Sequence, residues 1–444
     1  YDISNSTYYF GIGASREAET TMGVEFATSV GGSNTDRINS VAETSDGGYI
    51  AGGYFYSSSI QVGDYTLTNS SSSTSYSDGM IIKYSSEGEV EWARSVGGNY
   101  ADYIESVAET SDGGVIAGGY FESSSIQVGE NTLTNSNSGY ADGMIIKYNR
   151  EGEVEWARSV GGSRDDIIQS VAETSDGGVI AGGYFRGSEI QVGDYTLTNS
   201  SSYTDYSDGM IIKYSAEGEV EWARSVGGRK TDQITSVAVT EEGGAIVGGY
   251  FESDEIKVGD YTLTNNSFEN YVDGMVIKYS AEGEIEWTRS VGGTHDDLIT
   301  SIAETSDGGY IAGGDFESSS IQVGDYALTN NSRGTSYYDG MIIKYSREGE
   351  VEWARSVGGS GHEEINSVAK TSDGGVIAGG FFGSDEIQVG DSTLTNKRNS
   401  DGMIIKYSST GEVEWARSVG GSNTDRINSV AETSDGGYIA GGYF

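Results

Sequence analysis

The tetrapeptide Ser-Val-Gly-Gly begins at Ser29, Ser95, Ser159, Ser225, Ser290, Ser356 and Ser418, at spacings of 66, 64, 66, 65, 66 and 62 residues. So regular a period means that one supersecondary unit is repeated, each copy burying its apolar surface against its neighbours. One unit reads DRINSVAETSDGGYIAGGYFYSSSIQVGDYTLTN, then a variable stretch, then SDGMIIKYSSEGEVEWARSVGG. INSVAET and YIAGGYF flank an Asp-Gly turn, which predicts a hairpin. GMIIKY and EVEWARSV flank a turn around Gly88 and predict a second one. No segment shows helical periodicity. Between the two hairpins, Ile60, Val62, Tyr65 and Leu67 alternate around Gly63-Asp64, as a small extra hairpin would require.

Each unit therefore offers four strands, called first to fourth in chain order. Four-stranded units of this length fit the blades of a β-propeller. A β-solenoid would need shorter coils, and a string of sandwiches would need linkers and a core within each unit. First–second hairpins occur seven times, and complete third–fourth hairpins follow six of them. The seventh third–fourth pair stands at the front, as YYFGIGAS and GVEFATSV, with Phe26 in the place of the recurrent Trp. The expectation is an all-β, seven-bladed propeller of four-stranded antiparallel blades forming a single domain over 1–444. Its half-blade is 1–30, its blades are about 31–96, 97–160, 161–226, 227–291, 292–357 and 358–419, and its closing half-blade is 420–444. The C-terminal first and second strands would join the N-terminal third and fourth ones, removing the exposed sheet edges. Residues 29–55 and 418–444 are identical. Either a recent duplication or excision from a longer array accounts for this.

DGMIIKYSSEGEVEWARSVGG followed by SVAETSDGGYIAGGYF resembles the bacterial seven-bladed β-propeller repeat family (SBBP), over residues 8–444. The resemblance implies a secreted or cell-surface bacterial protein, often a module of a larger one. It implies no particular reaction, since propellers host many functions. The N-terminal half-blade departs from the pattern, lacking both DGM and Trp.

Cys is absent, which rules out disulfides, thiolate metal sites and a cysteine nucleophile. The net charge of -42 argues against nucleic acid and anionic membranes as partners and could attract cations. No apolar run is long enough for a membrane helix. The chain begins at Tyr1, as a mature or trimmed fragment would.

Variation between repeats is not uniform. The first–second turn is TSDGG in six units, with TEEGG the exception. The fourth-to-first connections differ (SNT, NYA, SRD, RKT, THD, SGHE), and so do the ends of the inserts. In an up-and-down blade these two variable regions emerge on one face. Either loops drift because drift costs little there, or that face recognises something. Its candidate binding residues are Tyr76, Tyr140, Tyr203, Tyr206, Phe268, Tyr271, Tyr337 and Tyr338. Aromatic rings of this kind stack on sugar faces or peptide groups and favour adaptable recognition.

An acid precedes each first strand: Asp36, Asp102, Asp166, Asp232, Asp297, Glu364 and Asp425. These carboxylates either accept backbone N–H bonds at the crossing between strands or form a calcium site near the channel mouth. Asp78, Asp142, Asp208, Asp273, Asp339 and Asp401 open the third strands and invite the same structural reading. The Trp92 and Met80 series are expected to pack between blades, and Lys83 and Arg94 to pair with acids of the same or next blade. His295 and His362, each followed by two acids, are loop histidines or, if they approach one another, a metal or acid–base pair. The leading expectation is a non-catalytic extracellular binding or adhesion module for a surface glycan or protein. The alternatives are a self-associating structural spacer and a propeller-type glycan-active enzyme.

Overall fold

A computed structural model describes residues 7–12, 26–71, 73, 75–267, 270–332 and 337–444. Blade one pairs Asp36–Glu43, Tyr49–Phe55, Asp78–Tyr84 and Val90–Val96 in that order, all antiparallel. Its first turn closes through Thr44 N to Gly48 O at 2.9 Å, with Gly47 at φ +82° and Asp46 Oδ1 accepting the Thr44 hydroxyl at 2.6 Å. The left-handed φ explains the invariant glycine of TSDGG and TEEGG. The insert forms the expected two-stranded hairpin, Ser59–Val62 with Tyr65–Thr68. It packs outside its own blade, where the Tyr65 hydroxyl donates to Glu91 O at 2.6 Å.

Every residue of the third strand, DGMIIKY, is buried. The reason is that both of its faces meet apolar surface. Met80 and Ile82 pack with residues of their own blade, while Ile81 packs with Ile104, Phe121 and Met144 of blade two. The core therefore lies between blades, and no blade has one alone. Trp92 inserts in the same seam. Its Nε1–H donates to Arg150 O at 3.0 Å, and its ring leaves no room for a Cβ on Gly152, which would come within 2.7 Å. Trp156, Trp222, Trp287 and Trp353 repeat the arrangement at Ala216, Ala281, Arg347 and Ser409. Lys83 and Arg94 also behave as expected. Lys83 pairs with Glu91 at 3.5 Å, and Arg158, the Arg94 counterpart, pairs with Glu219 of the next blade at 3.3 Å.

The first strands line the centre and bond to one another. Ser40 Oγ accepts Val107 N, Ser106 accepts Val171, Ser170 accepts Val237, Ser236 accepts Ile302, Ser301 accepts Val368, Ser367 accepts Val430 and Ser429 accepts Val41, all at 3.0–3.1 Å. The circle closes on its own first member.

The expectation of seven blades is corrected. The structure has six blades, each one continuous run of chain with four strands and an outlying hairpin. The two ends supply no further blade of that kind. They meet in a composite four-stranded sheet, ordered Phe26–Val30, Thr7–Ile12, Tyr438–Tyr443, Arg426–Glu432, which seals the ring between blades six and one and has no outlying hairpin among the described residues. The physical reason lies in residues 1–30, which carry neither the DGMIIKY strand nor the Trp that fill the other seams. On the neighbouring seam Trp415 is only half-buried and lies edge-on to Tyr438 at 5.4 Å, whereas the other five Trp are buried.

Candidate recognition face

The two variable regions do share one face, because they touch. Tyr76, at the end of the first insert, lies 5.1 Å from Tyr100 in the connection to blade two. Tyr140 receives a hydrogen bond from Arg164 at 2.6 Å, with the guanidinium 4.8 Å over its ring. Tyr271 packs on His295 at 4.9 Å, and Tyr338 on His362 at 5.0 Å. In each case the partner lies 24 residues further on, so one packing rule recurs in four seams with Tyr, Arg or His as the partner. These tyrosines are half-buried and hold the loops together. Tyr206 is half-buried as well, with Tyr203 edge-on at 6.0 Å. Tyr203 and Tyr337 are the exposed members, 70% and 44% accessible. Phe268 lies outside the described residues. Tyr100, 47% accessible, is an exposed loop aromatic that the sequence reading passed over.

The acids before the first strands are structural acceptors. Asp36 takes Gly32 N at 2.7 Å, Tyr56 N at 2.9 Å and the Ser57 hydroxyl at 2.9 Å. Asp102, Asp232 and Asp297 repeat this with a Gly N–H and with the amide and hydroxyl of one Ser. Asp166 takes Gly162 N and Arg186 N, and Asp425 takes Gly421 N. Burial pushes Asp102, Asp232 and Asp297 up to about 7 and Asp166 to about 8, despite these donors. In blade six the role belongs to Glu363, which accepts Gly359 N and Ser384 N at 2.8 and 2.9 Å. The assignment to Glu364 is corrected: the acid is the seventh residue after the SVGG serine in every repeat, and that count reaches Glu363. Asp78 Oδ2 likewise accepts Ser70 N at 2.8 Å. Among the described residues no three His, Asp or Glu side chains converge as metal ligands. The two histidines occupy separate seams, His295 on Tyr271 and His362 between Tyr338 and Phe381.

One groove of about 600 Å³ opens beside the loops between blades three and four. Ser200, Arg229, Lys230, Asp254, Glu255 and Lys257 line it. The Ser201 hydroxyl donates to Arg229 O at 3.0 Å and accepts Tyr203 N at 3.1 Å, which ties the exposed Tyr203 to this rim. Sequence reasoning missed the three cations. The signal was present: RKT is the one doubly basic fourth-to-first connection, and Lys257 replaces a Gln found at 61, 127, 191, 322 and 388.

No family model matches the chain. Among curated proteins it is 21% identical over 432 residues to an uncharacterized WD repeat-containing protein, L264, of Acanthamoeba polyphaga mimivirus, covering 81% of this chain and 31% of that one. It is 22% identical over 319 residues to the regulatory protein FlaEY of Caulobacter vibrioides, covering 68% and 33%. The chain thus spans about a third of the length of these curated relatives. Solved structures similar to it include the Neurospora crassa Pan2 WD40 domain (10% identity, 91% of this chain and 89% of that one, TM-score 0.45). BamB from Moraxella catarrhalis is another (13% identity, 98% and 94%, TM-score 0.38). The propeller assignment rests on the strand pairing above and not on these scores.

Proposed function

We propose that the protein is a non-catalytic recognition module that binds a surface partner, protein or glycan, through the loop-bearing face, with the groove between blades three and four as its principal contact. The observation that carries this is the groove itself. Its wall is concave and carries side chains of both charges, and the exposed Tyr203 is tied to its rim through Ser201, on the face where the repeats differ. The opposite face repeats its turns almost without change. An extracellular setting and the likeness to the SBBP repeats belong to the same proposal. The test is a screen of the purified chain against surface polysaccharides and protein fractions, with calcium and with chelator. A saturable partner lost on Tyr203→Ala supports the reading. Binding that survives both Tyr203→Ala and Lys257→Gln refutes this groove as the site.

A further inference from the structure

At the loop end of the ring, each second strand presents one side chain to the first strand of the next blade. In blade one this is Tyr54, whose ring lies 4.6 Å from Tyr103 of blade two. The same register places Tyr120, Tyr184 and Tyr250 in blades two to four, Asp315 in blade five, Phe381 in blade six and Tyr443 in the composite sheet. Arg426 stacks on Phe381 at 3.8 Å, and Arg37 on Tyr443 at 4.3 Å. Blade five breaks the series. There Asp315 faces Glu364, a carboxyl against a carboxyl.

Asp315 is 6% exposed, and no described residue donates a hydrogen bond or forms an ion pair with it. It lies opposite Leu298 in its own blade, and its burial is compounded by the charges of Glu364, Asp297 and Asp296. All of these hold its carboxyl well above the usual range. Glu364, partly open to solvent, bonds His362 Nε2 at 2.5 Å and lies 3.9 Å from Arg426. A buried carboxyl with no donor is costly. A tyrosine, used at this position in four blades, would avoid that cost.

We propose that Asp315 and Glu364 form a binding site for an organic cation, an alkylammonium group such as a lysine side chain presents. The ammonium would donate hydrogen bonds to both carboxyl groups, and its stem would lie on Leu298. A calcium ion suits the place poorly, since it wants six or more oxygens and the described residues bring no third acid into ligating position. The site is separate from the groove between blades three and four, so either can fail alone.

The test titrates the full chain at low ionic strength with n-butylammonium, 1,4-butanediamine and N-acetyl-lysine methylamide, read by calorimetry. The expected result is saturable binding of one ammonium per chain, weakened at least tenfold by Asp315→Asn and Glu364→Gln and unaffected by Tyr203→Ala. Asp315→Tyr restores the residue of the other blades, so it should fold, and it should abolish binding. Tighter binding of the lysine amide points to a protein source for the cation, and tighter binding of the diamine to a free polyamine; both support the site. Three results overturn it: no saturable binding to the wild-type chain at millimolar ligand, wild-type affinity in Asp315→Asn, or Asp315-dependent binding of calcium or zinc that displaces the ammonium.

Discussion

The hydroxyl of Ser429 accepts the amide hydrogen of Val41 at 3.0 Å across a separation of 388 residues. Near it Asn428 Nδ2 donates to Ile38 O at 2.8 Å, and Ser434 N bonds Glu43 on the opposite face. The last first strand is thereby tied to the first one, and the serine bond is the one that joins every other pair of first strands.

Two changes separate this inner seal from the outer one. Ser429→Ala removes one part-buried hydrogen bond and is expected to cost about 1 kcal/mol. Deleting residues 1–30 leaves the inner bonds in place but strips the partner from the outer edge of Tyr438–Tyr443. An unpaired edge strand invites pairing with another chain. The truncated protein should lose more Tm than Ser429→Ala and associate with concentration in sedimentation. A monomeric truncation with unchanged Tm would show that the composite sheet does not hold the ring closed.

Trp222 and Trp415 occupy the same place in the repeat but not the same environment. Trp222 is buried and donates to Ala281 O at 3.0 Å. Trp415 is half-buried against Tyr438. Trp222→Ala should cost about 3–5 kcal/mol, and Trp415→Ala distinctly less. Urea denaturation of both variants measures the difference, and equal losses would place the sixth seam on a par with the others.

The repeat, the strand order, the extra hairpins and the shared loop face were all legible in the sequence, because each residue role recurs once per blade. What recurs only once in the chain was not legible. Asp315 is the single letter by which YIAGGDF of blade five differs from YIAGGYF of blade one, and its consequence appears only when Glu364, 49 residues on, is seen facing it. The same limit applied to the tyrosines. Tyr140 and Tyr338 look like free loop aromatics until Arg164 and His362 are found packed against them. The blade count failed at the chain start, where 30 residues match the strand spacing but not the side chains that fill a seam.

The first strands also predict a pH effect at Glu105. Asn39, Thr235, Thr300, Asn366 and Asn428 each donate from this register position to a carbonyl of the next first strand, as Thr235 does to Ile299 O at 2.6 Å. Glu105 can donate only when protonated, and burial pushes it up to about 7. A carboxyl raised in the folded state gives stability that is full below its unfolded value, near 4.5, and lost as pH rises through about 7. Asp102, Asp232 and Asp297 act in the same direction over the same window. The Tm of the wild-type chain should therefore fall between pH 5 and pH 8.5. Glu105→Gln supplies a permanent donor, so it should raise Tm at pH 8.5 and leave it unchanged at pH 5. A parallel shift at both values would mean that the effect is one of packing.

The acids at the starts of the first strands offer a test of calcium dependence. Asp36, Asp102, Asp232 and Asp297 each accept several protein donors, so they need no ion to complete them. Chelator should leave Tm unchanged, whereas Asp232→Ala, which orphans Gly228 N and the Ser253 amide and hydroxyl, should destabilise by several kcal/mol, at about 1–3 kcal/mol for each buried group left without a partner. A Tm that drops with chelator and recovers with calcium would reverse the assignment.

Tyr203 and Lys257 separate recognition from folding. Tyr203 is 70% accessible, and Lys257 stands where five other repeats carry Gln, so neither supports the core. Tyr203→Ala should change stability by less than about 0.5 kcal/mol, as exposed substitutions usually do, while weakening partner binding at least tenfold. Lys257→Gln restores the residue of the other blades and should weaken binding of an acidic partner more than that of a neutral one, by an amount that shrinks as salt is added. Surface plasmon resonance at two ionic strengths distinguishes the two effects. If Lys257→Gln has no effect at either ionic strength while Tyr203→Ala abolishes binding, the partner is read by its aromatic contact and its charge is irrelevant.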